Sequence, residues 1–498
     1  MGRKGRVRRV LLSIVIALLV LVAGAWIFRG QILSWLAARA VSRELTRAEA
    51  EADLAVVVRL LESRYSYLER TGFDYRPAVE NLKGRLDGIT VRQFAVELMK
   101  LIAPFGDGHA RVRKRWIYLP IGYAAFHVRA VAGGRLVAMD PDHEAFVDAD
   151  HPYLTHLDGV DVQRWVEAAR AIVQHGSPQY VRRKCLEHLV YAKFLRRELG
   201  LPAGGAVRLR LESENRRSRT ELERDLTSDV LVLFMPLSRH EEPATLAGGI
   251  GYLPIEGMDD RPEFLYGLMK AMEDFRKTRG LILDVRGNGG GTRHALRALF
   301  PYLMKGDDPP RVVNVAAYRL QAEDEAGDPR GFLSNRFMYP ALHPDWSPEE
   351  RAAIAGAAAA FEPEWRLPAG KFSAWHYLVL EPVAEQAGRR YYHYDRPVVV
   401  LLDAGCFSAT DIFLSGFKGW RNVTLMGTPS SGGSGRSRSY GLENSRIKVR
   451  LSTMASFRAD GRAIDGNGIQ PDVIVEPVAT DLIGRTDTVL EAALSRLR

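Results

Sequence analysis

LILDVRGNGGG (residues 281–291) is a short apolar run, then a charged hinge, then three consecutive glycines. That order predicts a buried strand delivering backbone amides into a tight turn free of Cβ atoms, where negative charge can be held closely. Glycine turns are common, and two later stretches give this one its weight. CFSATDIF (406–413) places Ser408 where the apolar strand VVVLLDA (398–404) gives way to a helical pattern. IDGNGIQPD (464–472) is a second tight, glycine-bearing turn ahead of the strand VIVEP. A strand that ends in an exposed serine at a helix start is what a nucleophile elbow requires. The turn presents the hydroxyl, and the free amides of the first helical turn can bind an oxyanion.

These three segments, in this order, resemble those of the tail-specific (C-terminal processing) serine peptidases, including their tricorn-like branch. FGDGHARV (105–112) belongs to the same resemblance, which runs from about residue 50 to the C-terminus. It implies an α/β catalytic core of the ClpP/crotonase type and acyl transfer without a cofactor. Ser408 is then the nucleophile, with Gly290, Gly291 and the amide of Ala409 as the oxyanion hole. Asp284, Arg286 and Asn288 are expected to brace the glycine turn. The best-known branch places a lysine base in a turn after the serine. The matching stretch is GTPSSGGSG (427–435), and the lysine's place falls on Gly433. Lys418 and Lys448 read as surface charges on a helix and a strand. The tricorn-like branch draws a histidine from an upstream turn and an acid from the C-terminal one. That makes His109 the base and Asp465 its orienting acid, where the family usually has glutamate. Asp107 is the reserve acid and His294 the second candidate base.

The 498 residues suffice for two or three domains, each with its own core. Of the net charge of +9, Arg3, Lys4, Arg6, Arg8 and Arg9 supply five units before any acid appears. The rest is scattered through mixed-sign segments, which argues against a nucleic-acid partner. Two cysteines, Cys185 and Cys406, exclude a disulfide scaffold and a cysteine-rich metal site. Cys406 reads as a small core residue at a strand end. No His-Glu-x-x-His or other metal spacing and no Walker-type phosphate loop is present, so neither metal nor cofactor is expected.

The pattern divides the chain. Residues 1–9 form a basic cytoplasmic head. Residues 10–28 (VLLSIVIALLVLVAGAWIF) carry no charge over about the ~20 residues that span a bilayer as a helix. The basic flank orients this anchor with the remainder outside the cytoplasm, at the inner or cell membrane. Cleavage as a signal peptide is the alternative, disfavoured because Trp26, Ile27 and Phe28 continue the apolar run past Ala25. Residues 45–112 show helical periodicity, with Thr90 as an N-cap. Residues 113–225 are strand-rich with an intervening helical segment, similar to the PDZ-like domains found in the resembled family. Residues 226–498 alternate strand and helix, which predicts an α/β layer, interrupted at 305–396 by an insert of little regular alternation with an Ala-rich helix at 347–361.

The expectation is therefore a single-pass, membrane-anchored serine endopeptidase acting on polypeptides. The rival is a catalytically inactive scaffold that binds peptides through its PDZ-like region.

Overall fold

The computed structural model describes residues 40–233, 241–320, 333–382 and 391–498. The expected anchor at 10–28 lies outside the described residues. Among the described residues no helix is long and apolar enough to cross a membrane.

The C-terminal half of the chain is built on a six-stranded sheet. Its spatial order is Val473–Ile474, Val423–Gly427, Val398–Leu402, Gly280–Asp284, Ile250–Pro254 and Ala244–Leu246. All neighbours pair in parallel except the last two, which are antiparallel. Every residue of Gly280–Asp284 and Val398–Leu402 is buried, as central strands covered on both faces require. One face holds Leu281, Leu283, Val398 and Val400 against the helices Pro262–Asp274, His294–Leu299 and Ala409–Phe417. The opposite face holds Ile282, Val399 and Leu401 under Val489 and Ala493 of the C-terminal helix Thr488–Leu497.

Leu281 faces Val398 and Asp284 faces Leu401 in register. Two parallel neighbours in step end at the same edge of the sheet. The glycine turn after one strand and Ser408 after the other are therefore delivered side by side, where ligands of open parallel sheets bind.

The insert at 305–396, expected to show little regular alternation beyond its Ala-rich helix, contributes to a second, antiparallel sheet. Its order is Tyr339–Pro340, His376–Leu380, Arg311–Tyr318 and Met454–Phe457. Its strands are spaced widely in sequence and are joined by long connections, so local alternation carries little of the pattern. The Ala-rich helix spans Pro348–Ala360 and is capped by Ser347 and Glu350 in a capping box.

Upstream, the helices Arg47–Arg64, Arg76–Lys83 and Val91–Ile102 form the helical region. Thr90 caps the third, its hydroxyl accepting from the amide of Gln93. The strand-rich region is an antiparallel sheet with Tyr123–Ala124, Arg219–Thr227, Ala206–Glu212, Tyr153–Leu157, Leu136–Met139 and His127–Ala130 in that order. The expected single helical segment there is two helices, Pro178–His188 and Ala192–Glu198. A separate helix, Val162–Arg170, buries Trp165 completely.

The histidine turn is tied to a separate three-stranded sheet through one pairing. Strand Arg111–Val112 runs antiparallel to Lys448–Ser452, which also pairs with Ser437–Gly441. The amide of Ser66 donates to the Ser452 carbonyl at 2.9 Å, fixing the helical region to the same strand.

Candidate active site

Ser408 adopts φ 63° and ψ −116°, a conformation that side-chain-bearing residues rarely occupy, immediately before the helix Ala409–Phe417. Holding a non-glycine residue there costs about 1–3 kcal/mol. Serines at helix starts ordinarily cap the helix, yet the Ser408 hydroxyl makes no capping bond. The turn therefore presents the hydroxyl outward instead of spending it on the backbone.

The glycine turn is packed against this elbow. A Cβ on Gly290, which has φ 98°, would lie 2.5 Å from the Phe407 carbonyl oxygen and 2.7 Å from Ser408 Cβ. A Cβ on Gly291 would lie 1.9 Å from the Met258 oxygen. Only glycine fits either place. Asn288 knots the two segments together. Its Oδ1 accepts from the Gly290 amide at 2.9 Å and from Thr410 Oγ1 at 2.7 Å, while Nδ2 donates to the Ile255 carbonyl at 2.7 Å. Its own carbonyl accepts from the Phe407 amide at 3.1 Å. Asp284 and Arg286 brace the turn from outside, with Arg286 also bonded to Asp487 at 2.7 Å. The Gly290 amide is thus already committed. The amides of Gly291 and Ala409 donate no hydrogen bond among the described residues.

His109, Asp107 and Asp465 come together although 358 positions separate Asp107 from Asp465 in sequence. One polar atom from each lies within 4.8 Å of the others. His109 Nδ1 is 3.8 Å from Asp107 Oδ1, and that oxygen accepts the His109 amide at 2.8 Å. Asp465 Oδ2 accepts from the Tyr67 hydroxyl at 2.6 Å and from the Ser434 amide and hydroxyl at 3.1 and 3.2 Å. Asp465 Oδ1, Asp107 Oδ2 and His109 Nδ1 are buried without partners.

Burial holds the imidazole well below its usual range, and Arg450, Arg111 and Arg336 lower it further. Burial also raises both carboxyl groups. Asp107 goes to about 7, with the charge of Asp465 adding to the effect. Two desolvated carboxylates this close do not both ionise readily. The three side chains have metal-like spacing, and Arg450, Arg111 and Arg336 act on the same imidazole.

Phe407 explains the missing lysine. Its ring lies 4.5 Å from the His109 ring and 5.5 Å from that of Tyr180, centroid to centroid. A Cβ on Gly433 would fall 2.2 Å from Phe407 Cε2. The aromatic ring occupies the space through which a side chain at 433 would enter. The Gly432 and Gly433 amides are instead held by Asp411, at 3.1 and 3.0 Å. Lys418 pairs with Asp472 at 2.5 Å, and Lys448 is exposed on its strand. His294 bonds Thr292 Oγ1 at 3.0 Å and lies outside the histidine–carboxylate cluster. Cys406 is a core residue whose thiol donates to the Val285 carbonyl at 3.0 Å.

Tyr67, Tyr180, Ser434, Asp411 and Phe407 escaped the sequence reading. Phe407 and Asp411 flank the serine and had a local signal in their spacing. The two tyrosines had none.

A strand-end serine at positive φ, with an uncapped hydroxyl and an unbonded amide behind it, has the geometry of a nucleophile elbow on an α/β sheet. Residues 249–475 match the model of peptidase family S41. A carboxy-terminal-processing protease of Bartonella bacilliformis is 34% identical over 83 residues, 16% of this chain. The chain spans only 19% of that relative's length. Among solved structures, mature CPAF superposes with a TM-score of 0.63 at 17% identity, covering 91% of this chain and 96% of the other. CPAF complexed with lactacystin gives the same TM-score at 16% identity, covering 91% and 97%. At such identity the likeness shows a shared fold.

Proposed function

We propose that this protein is a membrane-anchored serine endopeptidase of the tail-processing kind, working with a histidine base. The observation that carries this reading is Ser408 itself: strained backbone, free hydroxyl, and the unbonded amide of Ala409 directly behind it. In this mechanism Ser408 Oγ attacks the scissile carbonyl while His109 takes its proton through Nε2. The amides of Ala409 and Gly291 stabilise the oxyanion. His109 then passes the proton to the leaving amine, and water hydrolyses the acyl-enzyme by the same steps.

Asp465, whose Oδ1 is buried and unpartnered, is read as the orienting acid, and Asp107, whose Oδ2 is equally unpartnered and whose Oδ1 lies 3.8 Å from His109 Nδ1, is its reserve. The 4.8 Å spread of the cluster is loose, and catalytic hydrogen bonds commonly tighten only when substrate binds. The antiparallel sheet of residues 123–227 is read as the PDZ-like module that receives polypeptide. Residues 10–28 are read as a single-pass anchor with the catalytic part outside the cytoplasm. Alkaline phosphatase fused after Arg498 is then active in a bacterial host, and an inactive fusion would reverse the topology.

A fluorophosphonate probe tests the chemistry. It is expected to label the wild type covalently and to leave Ser408→Ala unlabelled, with loss of turnover of an unfolded protein substrate. Equal labelling of both would remove Ser408 from the reaction. Absence of labelling and turnover in the wild type would favour the inactive peptide-binding scaffold.

A further inference from the structure

Around the histidine turn the fold gathers guanidinium groups without gathering acids to match. Arg111 and Arg450 are direct Cα partners across antiparallel strands. Like charges placed opposite one another on a sheet are destabilising. Arg450 Nε donates to Ser437 Oγ at 2.7 Å, which leaves its terminal nitrogens unengaged. Arg336 closes a short turn nearby. Its guanidinium is pushed down to about 10 by burial, then by Arg436 and Arg450.

Arg293 follows the glycine turn by two residues and is only 3% exposed. Its Nη1 donates to the Arg336 carbonyl at 3.3 Å, while its buried Nε and Nη2 have no acceptor. Among the described residues, no carboxylate forms an ion pair within 4.0 Å of Arg111, Arg293, Arg336 or Arg450. The acids that act on this group are Asp107, on Arg450, and Asp465, on Arg336. Both are buried and both are shifted toward their neutral forms. They offset only part of the positive charge.

Desolvated cations lacking counter-ions are costly. Such an arrangement is maintained where a ligand supplies the missing charge. The planar fork of arginine matches a carboxylate in two parallel hydrogen bonds. Three of these arginines act on the His109 imidazole, so the positive region borders the reacting groups.

We propose that Arg336, Arg450 and Arg111, backed by Arg293, form a carboxylate subsite beside His109. The preferred substrate then presents an acidic side chain, or its own C-terminal carboxylate, next to the scissile bond. As a statement about substrate, this rests on the peptidase reading.

The test measures binding in full-length Ser408→Ala protein, which cannot turn over. Two matched pairs of fluorescent peptides are compared by anisotropy. One pair exchanges Glu for Gln at the central position. The other exchanges a free C-terminal acid for its amide. The carboxylate member of at least one pair is expected to bind about tenfold tighter or more, and the pair that shows the preference identifies the source. Arg450→Gln and Arg336→Gln, added to Ser408→Ala, reduce the ratio toward one, and 0.5 M salt weakens it. Circular dichroism verifies folding. Should Arg336→Gln not fold, Arg450→Gln on its half-buried strand carries the test.

Equal binding within both pairs would overturn the subsite while leaving the peptidase reading intact, because no cleavage is involved. A preference that survives both arginine substitutions would also overturn it. A wild type that ignores the fluorophosphonate probe but keeps the preference would sink the peptidase reading alone.

Discussion

The two walls of the cleft satisfy their polar atoms in opposite ways. On the elbow wall, Asp403 Oδ1 accepts the amides of Gly287 and Gly405, each at 2.8 Å, and Asn288 binds both the glycine turn and the serine helix. Two amides, those of Gly291 and Ala409, are left over where an oxyanion would form. On the histidine wall the buried atoms Asp107 Oδ2, His109 Nδ1 and Asp465 Oδ1 have no hydrogen-bond partner. Leaving a buried polar atom unsatisfied costs about 1–3 kcal/mol. In the proposed mechanism charge stabilisation is therefore prebuilt, whereas the groups proposed to move the proton keep buried atoms unsatisfied.

The sharpest way to break this contrast is to remove the base. His109→Ala is expected to lower kcat/KM by about 10²–10⁴-fold, while Lys418→Ala and Lys448→Ala remain near wild type. Because the imidazole is depressed, wild-type activity should stay flat as pH falls through 6.5 and decline only below it. A lysine base has to be neutral to act, so its activity would decline from the alkaline side. A dead lysine variant beside an active His109→Ala would return the chemistry to a serine–lysine pair.

The next largest effect belongs to the prebuilt wall. Asn288→Ala removes the acceptor that holds Gly290 and Thr410 together, without touching substrate. Loosening one oxyanion donor costs about 10²-fold in kcat. The substitution should therefore lower kcat far more than it changes KM. A rise in KM at unchanged kcat would show that the turn binds substrate and does not stabilise the transition state.

The same contrast explains what was legible in sequence. The parallel strands Gly280–Asp284 and Val398–Leu402 are continuous apolar runs, and the motifs at their ends are local, so the elbow wall could be read directly. The histidine wall depends on Tyr67 meeting Asp465 across 398 residues and on one strand pairing that carries Arg111 to Arg450. No local pattern encodes such meetings. The resemblance to S41 peptidases named His109 and Asp465, but neither Phe407 over Gly433 nor the carboxyl pair followed from it. The antiparallel sheet formed by the insert was missed for a related reason: its strand Arg311–Tyr318 pairs with Met454–Phe457, far along the chain.

The smallest effect probes the histidine wall itself. Asp107 ionises at about 7 in the fold instead of its ordinary 3.8, chiefly through burial and then through Asp465. Between those values the unfolded chain releases the proton and the folded protein keeps it. Rising pH therefore favours unfolding across that window, and above about 7 the penalty is constant. Asn at 107 does not titrate, and its side-chain oxygen can still accept the His109 amide. In the Ser408→Ala background, the melting temperature of Asp107→Asn relative to Asp107 should rise between pH 5 and pH 8, by about 2–4 °C for each kcal/mol recovered. A difference that stays level or shrinks over that range would mean that Asp107 ionises normally, and that the histidine wall is no more strained than the elbow opposite it.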